Sequence, residues 1–141
     1  MLDNNKFYNY DIQVRDMIIK LEGYPAEKIY SYLKEKNGFV EYKDDAVQLP
    51  EDLTQRLEVL DTLTTYLNIH IQETIIGSEY QQDYQTKIAP KINSIDKLIA
   101  LYKKKGKYDI AVTTLEDLTC DLSEFKNYMF FDEKEKQNNS L

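Results

Sequence analysis

The stretch Pro50-Glu-Asp-Leu-Thr-Gln-Arg-Leu-Glu-Val-Leu-Asp-Thr-Leu-Thr-Thr-Tyr-Leu-Asn-Ile-His-Ile-Gln-Glu-Thr-Ile-Ile76 decides the fold class. Leu53, Leu57, Leu60, Leu63, Leu67 and Ile71 recur at spacings of three and four, which is the period of one helix face. Val59, Ile69, Ile75 and Ile76 widen the stripe. Pro50 suits a helix start, where a missing N–H costs nothing, and Glu51 and Asp52 suit the positive end of the helix dipole. A helix over 51–76 would be ~39 Å long at ~1.5 Å per residue. It reads either as the central core helix or as part of a dimer seam, so a homodimer through residues 51–76 is one expectation.

Outward from this segment, glycines mark where helical patterns stop. Gly23, Gly38, Gly77 and Gly106 each follow such a pattern, the position past a helix C-terminus where glycine is most common. Before Pro50, a first helix is expected over about 9–22, with Ile12, Met17, Ile18, Ile19 and Leu21 on a loose apolar side and Asp11 and Asp16 in its early turns. A second follows Pro25, with Ile29, Tyr32 and Leu33 at helical spacing until Asn37-Gly38. Residues 39–49 differ. Phe39-Val-Glu-Tyr42 and Ala46-Val-Gln-Leu49 are β-leaning runs around Lys43-Asp44-Asp45, and they predict a short β-hairpin, with Val40 and Tyr42 on one face and Val47 and Leu49 on one face.

Beyond Gly77, Tyr80, Tyr84, Ile88, Ile92, Ile95, Leu98 or Ile99 and Tyr102 form a clean stripe. Pro90 interrupts it and predicts a kink or break near Ala89. Lys103 to Lys105 close that segment, where positive charge meets the carbonyl end of a helix. The last helix is expected to start near Thr113 or Thr114, because Thr113 with Glu116, or Thr114 with Asp117, has capping-box spacing. Leu115, Leu118, Leu122, Phe125 and Met129 make its apolar face. Residues 132–141 read as a disordered acidic and polar tail. The expected architecture is therefore a mainly α single domain over 1–131, with about five helices and one hairpin near 39–49.

The 141 residues are 42% hydrophobic and 30% charged, the balance of an ordinary soluble protein. No apolar run approaches the ~20 residues that span a bilayer, the first residues lack the pattern of a secretory signal, and the single cysteine, Cys120, fits a reducing compartment. These features lead to a cytoplasmic expectation. The net charge of −7 opposes general affinity for nucleic acid or anionic membrane. Lysine outnumbers arginine 16 to 2, a bias that suggests an AT-rich genome such as that of a low-GC bacterium or its phage.

Motifs for chemistry are scarce. Four separated glycines form neither GxGxxG nor GxxxxGK[ST]. His70 is the single histidine, which removes HExxH and paired ExxH sites. A pairing of His70 with Cys120 as nucleophile is conceivable, but nothing specific supports it, and Cys120 reads more simply as a small half-buried hydrophobe. Neither an enzyme activity nor a cofactor or metal is expected.

Two acidic groups remain. Asp117, Asp121 and Glu124 share one helix face, offset from the Leu118–Leu122–Phe125 stripe, with Glu116 beside them. Asp44 and Asp45, with Glu51 and Asp52, form the second. Either would imitate a phosphate track against a basic groove; the plainer alternative is a solvated face that maintains solubility. Twelve tyrosines against no tryptophan are unusual; they suit an interface or replace phenylalanine in the core. KKKGK at 103–107 is explained by a helix end. The leading expectation is a non-enzymatic intracellular adaptor or inhibitor, in its sharpest form a phage or mobile-element accessory protein or an immunity protein. Its acidic face, Asp117, Asp121 and Glu124 with Asp44 and Asp45, would meet a basic partner such as a nucleic-acid enzyme or a toxin. The alternative is a dimeric winged-helix regulator, because the chain over roughly residues 10–50 has the order helix, glycine, two short strands with a charged tip, then another helix. Against it, Asp44 and Asp45 at the hairpin tip would repel phosphates, and the helix over 26–36 has no arginine for guanine readout.

Overall fold

The structure is a computed structural model and describes residues 9–14, 17–22, 26–44 and 46–139. The elements run β1 (Asn9–Val14), β2 (Met17–Glu22), α1 (Ala26–Asn37), β3 (Glu41–Lys43), β4 (Ala46–Gln48), α2 (Leu53–Ile75), α3 (Tyr80–Lys87), α4 (Ala89–Lys104) and α5 (Tyr108–Asn139). The protein is mainly helical, as the periodicity implies, with a small four-stranded sheet where one hairpin is expected. The chain divides into two compact units, residues 1–49 with 123–141, and residues 50–122.

In the first unit the strand order is β2-β1-β4-β3, with β1 antiparallel to β2 and parallel to β4. Ile12 stands opposite Ile19 on one side and Val47 on the other, and all three are buried. Val14 and Leu21, two residues along from Ile12 and Ile19, are buried too. The alternate residues Gln13, Ile18 and Gln48 share the opposite face, where Ile18 is exposed. α1 packs against β1 and β3 and contributes Ile29 and Leu33 to the core.

The helix expected over 9–22 is thus a β-hairpin. Ile12-x-Val14 and Ile19-x-Leu21 follow the period of two, but the consecutive Met17-Ile18-Ile19 run hides the alternation. The hairpin expected at 39–49 is present, as β3 and β4. Val47 and Leu49 are both buried, whereas Val40 is buried and Tyr42 exposed. Val40 lies before the strand, and Tyr42 rests edge-on against Tyr30, ring centroids 5.5 Å apart. Among the described residues no helix precedes α1, so the winged-helix pattern lacks the helix that its expected first segment would supply.

Asn127 of α5 is fixed to β2 by its side-chain amide. The Glu22 N–H donates to Asn127 Oδ1 at 2.9 Å, and Asn127 Nδ2 donates to the Lys20 carbonyl at 2.9 Å. β2 is an outermost strand, so this amide takes two positions on the strand edge that a further strand would take.

In the second unit Asp52 caps α2, its side chain accepting the Gln55 N–H at 3.0 Å. Leu57, Leu60, Leu63, Leu67, Ile71 and Ile75 are buried. The stripe from Leu57 to Ile75 therefore serves the core of the folded chain, whereas Leu53, Ile69 and Ile76 of the expected stripe are exposed. Arg56 is buried on the same helix. Its Nε donates to Glu116 Oε2 at 3.0 Å and its guanidinium also donates to the Pro50 carbonyl at 2.8 Å. A buried charge needs such partners, since desolvation otherwise outweighs the attraction.

The break expected near Ala89 falls at Ile88, with Pro90 in the first turn of α4 where its missing donor is harmless. Gly77 and Gly106 have φ of +74° and +73° past the ends of α2 and α4, a region open to glycine. Gly23 and Pro25 lie outside the described residues.

α5 starts at Tyr108, five residues before Thr113. Thr113 and Thr114 donate their hydroxyls to the carbonyls of Asp109 and Ile110 one turn back and cap nothing. The helix also continues through 132–139, where a disordered tail is expected. That stretch has no glycine or proline, Lys136 pairs with Asp132 at 3.2 Å, and Lys134 lies over the Phe130 ring. Such one-turn pairs support a helix.

Candidate functional site

The predicted acidic residues are distributed over both units. Asp117 is exposed on α5. Asp121, one turn on, is half-exposed and accepts from Lys91 Nζ of α4 at 2.6 Å. Its charge is therefore largely answered inside the protein. Glu124 is exposed on α5, just inside the residues that belong to the first unit. Asp44 is exposed at the β3–β4 tip with φ +55°, a left-handed turn conformation that aspartate tolerates. Asp45 lies outside the described residues. Glu116, expected beside Asp117, points to the core and belongs to the Arg56 pair. Asp117 and Glu124 take part in no ion pair among the described residues.

The tyrosines divide between core and surface. Tyr80 and Tyr84 are buried, and the Tyr84 hydroxyl donates to Asn68 Oδ1 at 2.7 Å. Burial pushes the Tyr84 pKa up, with the Asn68 hydrogen bond opposing. Tyr42 and Tyr128 are exposed; Tyr8 and Tyr24 lie outside the described residues. His70 and Cys120 are half-buried on α2 and α5. Lys103, Lys104 and Lys105 close α4, and the Lys105 N–H returns to the Leu101 carbonyl. Among the described residues no helix is long and apolar enough to cross a membrane, and no group of three or more His, Cys, Asp or Glu is placed to hold a metal ion.

A cleft of about 470 Å³ in the second unit is not foreshadowed by any motif. Thr54, Leu57, Glu58 and Asp61 of α2 form one wall. Asp96, Ile99, Ala100 and Lys103 of α4 form the other, and Tyr108 at the start of α5 completes the lining. Spacings of three and four place each set on one side of its helix. Partial burial pushes the Asp61 carboxyl above the ordinary aspartate range; the like charge of Asp96 adds to this, and Lys103 opposes it. Three carboxylates and one ammonium thus line a partly apolar cleft.

α4 itself is unusual. It carries the stripe Ile92, Ile95, Ile99 and Tyr102, which is half-buried, and none of its residues is fully buried. Leu98 and Leu101 are exposed.

No family model, curated protein or solved structure that was compared matches the chain.

Proposed function

We propose that the protein is a non-enzymatic, cytoplasmic adaptor or inhibitor that works by binding another protein through acidic surface. The observation that carries this reading is the exposure of Asp117 and Glu124 on one long helix without an internal ion-pair partner among the described residues. Exposed carboxylates of this kind steer a basic partner and raise its association rate, which added salt then lowers. Asp44 adds a third exposed carboxylate at the hairpin tip. The sharpest version is a phage or mobile-element accessory protein directed at a nucleic-acid enzyme or a toxin, which suits a small acidic chain rich in lysine over arginine.

Affinity capture from the native host, with identification by mass spectrometry, tests the reading. Asp117→Lys with Glu124→Lys should weaken capture of a basic partner tenfold or more and flatten its salt dependence. Asp121 is left intact, because a lysine there would face Lys91 and unsettle the fold. Capture of no partner, or equal capture by the double variant, refutes the proposal.

A further inference from the structure

We infer that the cleft between α2 and α4 is a docking groove for a basic amphipathic helix of a partner protein. The inference rests on the protein-binding reading above but uses a different surface. Three observations carry it. First, the groove has an apolar part in Ile99 and Ala100 of α4 beside Tyr108, with the buried Leu57 also in its lining. Second, carboxylates from both walls, Glu58 and Asp61 on α2 and Asp96 on α4, outnumber the single Lys103. Third, the α4 stripe of Ile92, Ile95, Ile99 and Tyr102 is only half-buried, and Leu98 and Leu101 beside it are exposed, so the helix keeps apolar surface that a partner can cover.

The chemistry of the occupant follows from the lining. A side chain seated on Ile99 and Ala100 must be apolar. A cation one helical turn away from it would reach the Asp61 and Asp96 carboxylates, whose mutual repulsion it would relieve. An acidic occupant would meet that same repulsion, so charge selects the sign of the partner. A helix satisfies both demands, because residues three and four apart share one face. The segment from Thr54 to Asp61 spans about two turns of α2, or ~11 Å at ~1.5 Å per residue, enough for two such anchors. Lys103, also on the α4 wall, repels cations and so fixes the direction in which a basic helix lies.

A displayed library of random amphipathic helical peptides is the probe, selected against the intact protein. The expected outcome is enrichment of peptides with Arg or Lys three or four positions from Leu, Ile or Phe. Synthesised, they should bind the Asp61→Asn, Asp96→Asn double variant at least tenfold more weakly. Ala100→Trp, a change at an exposed position that fills the groove, should abolish binding with an unaltered circular dichroism spectrum. Enriched peptides without basic bias, binding that survives both variants, or no enrichment at all overturns the inference. The outcomes separate it from the broader reading: a host partner lost on reversing Asp117 and Glu124 but retained by Ala100→Trp sustains protein binding and removes the groove.

Discussion

α2 and α4 carry the same apolar spacing, and the fold covers it to different degrees. The α2 stripe from Leu57 to Ile75 is buried, and even its arginine is enclosed. The α4 stripe, Ile92, Ile95, Ile99 and Tyr102, is only half-buried. Their ion pairs repeat the contrast. Arg56 meets Glu116 with both side chains almost out of solvent, at 11% and 5% exposure, whereas Lys91 meets Asp121 at 53% and 31%. A period of 3.6 identifies the side of a helix that seeks cover; it does not say whether this chain or another molecule supplies the cover.

The strongest attack on the comparison is to remove the arginine. Arg56→Ala leaves Glu116 buried without its cation and should cost ~3–5 kcal/mol, whereas Lys91→Ala should cost ~0–1 kcal/mol. Urea midpoints at unchanged slope are the measurement. Equal losses would mean that the two pairs differ in appearance only. The apolar counterpart comes next. Leu63→Ala should cost ~2–5 kcal/mol, while Leu101→Ala on α4 should stay within ~0.5 kcal/mol. A large loss at Leu101, with a melting temperature that rises with protein concentration, would show that a second copy covers α4.

The smallest effect is electrostatic and pH-dependent. The Asp61 pKa is raised in the folded state above its ordinary 3.8. A raised carboxyl pKa favours folding when the group is protonated, and that advantage is lost as pH rises through the folded value. At pH 7 the carboxylate is therefore a liability, and Asp61→Asn should raise the urea midpoint. The difference should shrink as pH falls through the raised value and vanish below 3.8. A difference that persists at low pH would assign the effect to packing instead of charge.

How much of this was legible depends on where the information sits. α2 was readable because its stripe and the proline before it are contiguous, although the helix starts at Leu53 with Asp52 as its cap and not at Glu51. The break at Ile88 was readable because one residue, Pro90, causes it. The β1–β2 hairpin was not, since Arg15-Asp16 between the strands has no glycine or asparagine to announce a turn and Ile18 occupies the polar face. The helical tail was hidden by composition: Asp132, Lys134 and Lys136 look like disorder until their one-turn pairing is seen. The groove was least legible. Asp61 and Asp96 lie on different helices, and only the packing of α4 beside α2 places both along one cleft. Asp117 and Glu124 lie at exposed positions, whereas Asp121 is held by a lysine 30 residues away, which no local pattern reveals.

Asn127 has a consequence for how the chain is made. Glu22, which it holds, precedes it by 105 residues. During synthesis at roughly 5–20 residues per second, the outer edge of β2 leaves the ribosome about 5–20 seconds before its cover exists. Through that interval the nascent hairpin displays unpaired backbone groups beside the exposed Met17 and Ile18, which is the kind of surface that recruits other strands and chaperones. The last helix to be made is thus also the step that ends the exposure of the first strands.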